Sequence, residues 1–357
     1  MTIFTWIFLV FAILGALDRL FGNRLGLGGE FERGFKFFTA TSLSMIGIII
    51  LAPALAVWLE PMFDGFYNIF KIDPSIIPAS LFANDMGGAP LALEVAKDET
   101  IGKFNGFVVT SMLGCMISFT IPFASGVVEK EYHGDMFLGF VCGIATIPVG
   151  CIVGGLMCGI SVLPLIIDLV PVLIVSILFS LGLIFLRSAT CAVLKGFALL
   201  LKVVICIGLI LGIASYLVNI PLPEYFDTFE EGAAICVRVS VTLSGAFPFV
   251  FVVGKLLKKP LKFFGKKLGV NEISALSLLS TLVTNATAFA AIKDMDKRGI
   301  VVNSAFACSA AYIFGSHLAY TSAECPELLG IVLLSKFISG IAAVIVALII
   351  TKKKETV

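Results

Sequence analysis

The sequence predicts an all-α polytopic membrane protein with about nine transmembrane helices plus two re-entrant or broken helices, arranged as two inverted-topology repeats. The first observation behind this prediction is composition. Of the 357 residues, 59% are hydrophobic and only 14% are charged, whereas soluble domains carry about 25% charged residues. The mean hydropathy is +1.07. The formal net charge of +1 indicates no nucleic-acid partner.

The second observation is the number of long apolar segments. A spanning helix needs about 20 mostly apolar residues. No basic region or small-residue cleavage site precedes the first segment, so we expect it to be a retained span in the lipid bilayer. About eleven segments qualify by length, and they lie at residues 2–17, 36–58, 75–97, 103–127, 136–158, 161–186, 196–218, 233–257, 273–292, 299–321 and 327–351.

The positions of Lys and Arg predict the orientation, because short cytoplasmic loops carry an excess of both. The strongest basic run is KLLKKPLKFFGKK at 255–267, and a basic tail follows at 352–354. We expect both in the cytoplasm, together with the KDMDKR loop at 293–298. The KDETIGK loop at 97–103 and the TSAECPE loop at 321–327 then lie outside, and the long first loop, which contains Arg19 and Arg24, lies in the cytoplasm. The N-terminus is therefore predicted outside and the C-terminus in the cytoplasm.

This orientation requires two interrupted segments. Segment 273–292 would have both ends on the cytoplasmic side, and its middle reads TNAT at 284–287. Segment 75–97 contains NDMGG, and in the same orientation both of its ends lie on the outer side of the membrane. Unwound backbone is tolerated at membrane depth only where protein buries it or water bathes it. Gly87 and Gly88 suit such an interruption, so we expect re-entrant or broken helices in both segments.

The third observation is a weak internal repeat. TSLS at 41–44 and VTLS at 241–244 are separated by 200 residues, and the same spacing places Asn84-Asp85 beside Thr284-Asn285. In the predicted orientation the two halves run in opposite directions. Inverted repeats whose discontinuous helices meet near the bilayer midplane are typical of secondary transporters. The predicted units are a first repeat at 1–158, a linking helix at 159–190 and a second repeat at 191–357.

Asp85 is the central candidate for a binding role. A carboxylate at the bilayer centre costs about 2.5–3.5 kcal/mol and needs a cation, a proton or water. The matching segment offers Thr284, Asn285 and Thr287, and one anion among amides and hydroxyls suits a small cation that also forms hydrogen bonds. The alternatives are that Asn84 and Asp85 cap a helix and that Asn285 and Thr287 form interhelical hydrogen bonds.

Other polar residues in apolar segments have two interpretations each. Ser44 and Ser244 occupy equivalent places in the repeat, and they either face the same cavity or bond back to their own helices. His317 in GSHLAYT is either a proton relay or a neutral histidine bonded to a neighbouring hydroxyl. Asp168 and Arg238 both lie in the outer half of the membrane in the predicted orientation, so we expect a structural ion pair between them in preference to a functional role.

Cysteine and histidine usage gives no indication of a metal or cofactor. The nine cysteines are scattered without a C-x-x-C, and there are two histidines, so we expect neither a metal site nor a disulfide framework. An intramembrane enzyme built on Asp85, Asp168 and His317 is an alternative class that lacks a partner motif. A membrane sensor or scaffold is a third, and it lacks a sizeable soluble domain.

Three runs carry a family resemblance: NDMGGAPLA from residue 84, NGFVVTSMLG from residue 105 and GSHLAYT from residue 315. They resemble the ethanolamine-utilisation membrane protein family, bacterial permeases encoded with the ethanolamine ammonia-lyase system. The resemblance implies import of ethanolamine, an ammonium joined to a hydroxyl, across the bacterial inner or plasma membrane. It also implies that the substrate-binding residues include Asn84, Asp85, Gly87 and Gly88. A transporter of another small polar amine or a nucleoside-like solute is the alternative. The sequence leaves open the coupling ion, a channel mechanism and the oligomeric state, including a homo-oligomer.

The predicted orientation is testable by labelling. A cysteine placed in the KDMDKR loop should react with a membrane-impermeant thiol reagent only from the cytoplasmic side. A cysteine in the KDETIGK loop should react only from outside. Labelling from the opposite faces would contradict the inverted-repeat scheme.

Overall fold

The computed structural model describes residues 3–352, apart from the side chains of residues 40 and 257–267. The last part of the basic tail and most side chains of the basic 255–267 run therefore lie outside the described residues. The helices are α1 (Ile3–Leu20), α2 (Leu27–Phe70), α3 (Ile76–Leu81), α4 (Gly88–Val95), α5 (Glu99–Val127), α6 (His133–Ile144), α7 (Ile147–Met157), α8 (Val162–Phe185), α9 (Arg187–Val218), α10 (Phe229–Leu268), α11 (Glu272–Val283), α12 (Asn285–Ala290), α13 (Lys297–Ala310), α14 (Ser316–Glu324) and α15 (Leu329–Ile350).

The all-α polytopic membrane architecture is confirmed. Within residues 3–352, eight helical stretches are long and apolar enough to cross a membrane. The inverted repeat and its predicted boundaries stay a prediction. The eight stretches are Ile3–Leu20, Thr41–Phe70, Glu99–Val127, Lys130–Met157, Val162–Phe185, Arg187–Val218, Phe229–Leu256 and Pro326–Ile350.

Both predicted interruptions are present as breaks in a helix. After α3 the backbone is extended at Phe82 and Ala83, and one 3₁₀ turn spans Asn84–Met86 before α4 begins. Between α11 and α12 the backbone is extended at Thr284. Whether each segment re-enters the same face of the membrane stays a prediction.

A third interruption was not predicted. Residues 299–321, expected as a continuous span, separate into α13 and α14 around residues 311–315. Tyr312 has a left-handed backbone with φ of 62°, which a right-handed helix cannot include. The run from residue 310, AAYIFG, contains no proline and no polar cluster. The described part of the chain therefore has eight long spans instead of about nine.

Two of the interruptions satisfy each other's backbone groups. The last carbonyls of a helix have no partner within the helix. Here the Tyr312 amide donates to the Thr281 carbonyl at 3.2 Å, and the Phe314 amide donates to the Leu282 carbonyl at 2.7 Å. The first interruption is tied to α5, because the Ala83 amide donates to Ser118 Oγ at 3.1 Å.

Loops that were predicted to share a membrane face lie against one another. Lys103 Nζ lies 3.6 Å from Glu327 Oε1, which joins two loops predicted outside. At the predicted cytoplasmic end, Lys255 Nζ donates to the Leu25 carbonyl at 3.5 Å. The structure thus groups the loops in the expected sets, while the assignment of each set to a compartment stays a prediction.

The junction between the second and third interruptions depends on Gly315. A Cβ at this position would overlap the Val283 carbonyl oxygen. We expect Gly315→Ala to destabilise the protein by about 1–3 kcal/mol through overpacking, which thermal unfolding of the purified protein in detergent would detect as a lower midpoint. Gly330→Ala is the matched control, because no atom lies within 4 Å of the added Cβ. Equal midpoints for the two variants would contradict the packing described here.

Candidate functional site

A cavity of about 310 Å³ lies where the three interruptions meet. Helices α2 and α5 close its remaining sides. The wall combines one carboxylate and one imidazole with hydroxyls and aromatic rings, a mixture typical of sites for small polar ligands. It is lined by Phe37, Thr41, Ser44, Ala83, Asp85, Met86, Cys115, Phe119, Thr284, Ala286, Tyr312, Ser316 and His317.

Asp85 is the acidic residue of this wall, and the local backbone explains its position. Asn84 Oδ1 accepts the Asp85 amide at 2.9 Å, which stabilises the 3₁₀ turn. Gly87 then adopts φ of 96°, a left-handed conformation that favours glycine. A Cβ on Gly87 would also overlap the side chain of Ile48. As a result Asn84 is fully buried, while the Asp85 side chain keeps 16% exposure toward the cavity.

His317 and Lys336 lie behind Asp85. His317 Nε2 is 3.8 Å from Asp85 Oδ1, which is too long for a direct hydrogen bond. On the other side of the ring, Nδ1 lies 3.2 Å from Lys336 Nζ. Lys336 also donates to the Ser111 carbonyl at 2.5 Å. A lysine ammonium only donates, so Nδ1 accepts and the imidazole proton is assigned to Nε2, facing Asp85.

These three side chains form a buried charge network. Lys336 is 1% exposed and His317 is 2% exposed. An unpaired buried cation would be costly, and an anion nearby offsets that cost. With Asp85 ionised, His317 neutral and Lys336 protonated, the network has no net charge. The imidazole lies between Lys336 and Asp85, so the lysine charge acts on the cavity carboxylate through the ring.

Tyr312 also lines the cavity and is held in place by Asn285. The Tyr312 hydroxyl donates to Asn285 Oδ1 at 2.5 Å. Asn285 Nδ2 in turn donates to Thr120 Oγ1 at 3.2 Å on α5. Asn285 is fully buried and does not line the cavity. Its amide therefore affects the shape of the cavity by holding the Tyr312 side chain in position.

Three aromatic rings reach the cavity: Phe37, Phe119 and Tyr312. The Phe119 and Tyr312 rings are 6.2 Å apart in an edge-on arrangement, and the Tyr312 and His317 rings are 5.0 Å apart. Aromatic faces attract ammonium groups when the cation is desolvated. The sequence did not indicate which of the many phenylalanines would take this position.

The structure brings four of the predicted site residues into one wall. These residues come from separate parts of the chain: Ser44, Asp85, Thr284 and His317. Ser44 also donates to the carbonyl of Thr41 at 3.2 Å. The two interpretations of such serines, a cavity wall and a bond to their own helix, are therefore compatible at this position.

The other predicted site residues lie outside the wall. Gly87 and Gly88 shape the backbone around the first interruption, and Asn84 and Asn285 are buried behind it. Thr287 is exposed and donates to the Thr284 carbonyl. Ser244 is buried on α10 and donates to the Val241 carbonyl, as expected for back-bonding.

The sequence analysis missed Lys336, although a signal was present. It is the only charged residue of α15, a helix of 22 residues, and a lone charge in a membrane span indicates a functional position. The expected pair of Asp168 with Arg238 is wrong. Arg238 instead donates to Glu324 Oε1 at 2.7 Å on α14.

Comparison with known proteins gives a consistent result. The family model described as "Ethanolamine utilisation protein, EutH" matches residues 1–350. A Listeria monocytogenes protein named "Probable ethanolamine permease EutH" is 39% identical over 97% of this chain and 93% of its own. A Salmonella typhimurium protein of the same name is 34% identical over 99% and 96%. The "Uncharacterized protein YxeR" of Bacillus subtilis is 35% identical over 95% and 91%. No solved structure matches the chain.

The buried charge network predicts energetic coupling between Asp85 and Lys336. Each of Asp85→Asn and Lys336→Met should lower stability, because each leaves a buried charge without its partner. The double variant should lose less than the sum of the two, by roughly 1–3 kcal/mol. Unfolding of the four proteins in detergent measures this difference.

The pair Glu99→Gln and Lys103→Met is the matched control, because that ion pair of 2.8 Å is exposed. Its coupling should stay within about 1 kcal/mol. If the Asp85 and Lys336 substitutions were as additive as the control pair, the two side chains would not form one network.

Proposed function

Because the chain belongs to the EutH family of ethanolamine utilisation proteins, we propose that it carries ethanolamine, as the ethanolammonium cation, across the bacterial cytoplasmic membrane. The observation that carries this proposal is one carboxylate, Asp85, in a cavity formed where three helices are interrupted. The proposed site lies near the membrane midplane, where discontinuous helices of secondary transporters bind their substrates.

Asp85 binds the ammonium group in this proposal. An ammonium has three donors and no acceptor, and the carboxylate is the charged acceptor of the cavity wall. Charge-assisted hydrogen bonds of this kind are about twice as strong as neutral ones. The rings of Phe37 and Phe119 supply aromatic surface for the remaining side of the cation.

Thr284 and Tyr312 bind the substrate hydroxyl. Both line the cavity, and both carry hydroxyl oxygens that accept hydrogen bonds. Thr284 Oγ1 already accepts the Ala286 amide at 3.3 Å, which fixes its orientation. The sequence offered Asn285 as a site residue together with Thr284 and Thr287, but the Asn285 side chain is engaged with Tyr312 and Thr120. Asn285 is therefore a positioning residue.

Lys336 keeps the site neutral when no substrate is present. Its charge balances Asp85 through His317, so the empty cavity does not hold an uncompensated anion in a low-dielectric region. Binding of ethanolammonium then adds one positive charge to the network. This addition weakens retention of the cation and so favours its release from the site.

Orientation and symmetry belong to the same proposal. The N-terminus is outside, the C-terminus is in the cytoplasm, and segments 75–97 and 273–292 re-enter from opposite faces. The contacts between loops support the two sets of loops, and the distribution of Lys and Arg supports the assignment of each set to its membrane face. Uncharged ethanolamine crosses lipid to some extent unaided, so transport by the protein matters most at low pH or low substrate concentration.

Asp85→Asn tests the proposal in proteoliposomes. Loss of a hydrogen bond to a charged group costs about 1.5–3 kcal/mol, so saturable uptake of labelled ethanolamine at acidic pH and low substrate should fall roughly tenfold to a hundredfold. Glu94→Gln is the matched control, because this acid is exposed on α4 outside the cavity. Full uptake by a folded Asp85→Asn protein would remove Asp85 from the site.

A further inference from the structure

The hydrogen bonds of Lys336 give its proton a path to the cavity. Lys336 is 1% exposed, and among the described residues Nζ makes hydrogen bonds to the Ser111 carbonyl and to His317 Nδ1. A peptide carbonyl does not take up a proton at ordinary pH. An imidazole accepts a proton on one nitrogen and gives up a proton from the other. A proton that leaves Lys336 along these contacts therefore passes through His317.

His317 connects the lysine to the cavity. Its Nδ1 faces Lys336 Nζ at 3.2 Å, and its Nε2 faces Asp85 Oδ1 at 3.8 Å. His317 and Asp85 both line the cavity of about 310 Å³, which is large enough to hold water. The two ring nitrogens thus face a proton donor on one side and a carboxylate with cavity solvent on the other.

Binding of an ammonium at Asp85 changes the charge balance around Lys336. One carboxylate offsets one cation, so a bound ethanolammonium leaves one positive charge without a counter-ion. A buried charge without a partner is costly, and such a group becomes neutral instead. The titratable groups that face Lys336 are Asp85, His317 and, on α5, Cys115. The Cys115 thiol is uncharged when protonated and cannot replace the carboxylate.

We propose that ethanolammonium binding at Asp85 drives one proton from Lys336 through His317 into the cavity, so that the protein exchanges the cation for a proton. This inference rests on the transport function proposed above. In this step an N–H bond of Lys336 Nζ breaks and the proton binds His317 Nδ1. The Nε2–H bond of His317 breaks and its proton passes to solvent in the cavity. The imidazole ends neutral, and its Nδ1–H donates to the neutral lysine amine.

The exchange keeps the net charge of the site constant. Before binding, Asp85 is balanced by protonated Lys336, and after binding it is balanced by ethanolammonium beside a neutral lysine. Neither state leaves an uncompensated charge in a low-dielectric region. When Lys336 takes up a proton again, the excess positive charge returns and the cation is released. The cycle moves no net charge across the membrane, so the membrane potential does not drive it.

The sequence left two interpretations of His317, a proton relay and a neutral histidine bonded to a hydroxyl. The contact of Nδ1 with an ammonium, 19 residues away in sequence, favours the relay. Lys336 adds what the sequence interpretation lacked, a group that stores the proton within reach of the ring.

Proton release from the purified full-length protein in detergent tests the exchange directly. Ethanolamine is added at about pH 6, where simple amines are cations, in weak buffer with a pH indicator dye. Binding of labelled ethanolamine is measured in parallel. The wild-type protein should release about one proton for each ethanolammonium bound, because the net charge of the site stays constant.

Lys336→Arg separates the charge from the proton, because arginine keeps its charge and is not deprotonated in proteins. This variant should bind ethanolammonium more weakly and release no proton. His317→Gln is the second variant, in case Lys336→Arg does not fold, and it should lose the release because an amide does not relay a proton. Lys103→Met is the matched control and should release as much as the wild type, because its ion pair with Glu99 is exposed.

Uptake under an imposed potential gives an independent readout in proteoliposomes. A potassium gradient with valinomycin, negative inside, should leave saturable uptake by the wild type unchanged. The same potential should accelerate uptake by Lys336→Arg severalfold, because the loaded site of that variant carries one net positive charge.

The exchange is overturned if the wild type binds ethanolammonium without releasing a proton, if Lys336→Arg releases as much as the wild type, or if the potential accelerates wild-type uptake. Each of these results leaves the transport of ethanolammonium intact and makes Lys336 a fixed charge. Absence of both binding and uptake would contradict the transport function itself, and the exchange with it.

Discussion

Backbone groups at membrane depth must be hydrogen-bonded, and this constraint organises the whole structure. Each unpaired peptide group in hydrocarbon costs several kcal/mol, so a helix can be interrupted only where another segment supplies partners. Here the amides of Tyr312 and Phe314 satisfy the end of α11, and Ser118 satisfies the start of the 3₁₀ turn that carries Asp85. The interruptions therefore converge, and the cavity forms at their junction.

The same convergence explains why ionisable groups are tolerated there. Asp85, His317 and Lys336 come from three different helical segments, and none would be stable alone in an apolar interior. Together they form a neutral network with one end open to the cavity. In the proposed function, Asp85 recognises the cation, and the neutral network keeps the site from holding it irreversibly. That proposal links the charge arrangement to the transport of a small ammonium compound.

Much of this arrangement was predictable from sequence. The NDMGG and TNAT runs are polar interruptions within apolar segments, and both correspond to breaks. The third break was not predictable by the same criterion, because the residues around Tyr312 are apolar and its left-handed backbone depends on contacts with α11. Lys336 was visible as a lone charge, but its proximity to His317 is a property of the packed helices.

The direction in which each side chain points was the main feature that the sequence could not predict. Sequence spacing placed Asn285 beside Asp85, whereas the amide points toward Tyr312 and Thr120. The same limit made the Asp168 and Arg238 pair wrong, since two charges at similar depth need not face each other. Charge counting along the chain gives depth and orientation, but helix rotation depends on tertiary packing.

A density map of the protein with bound ethanolamine tests the central claim most directly. The account predicts ligand density between Asp85 and Thr284, with the amine within hydrogen-bonding distance of the Asp85 carboxylate and the helices interrupted at all three positions. Continuous helices through residues 75–97 and 273–292, or a ligand bound away from Asp85, would contradict it.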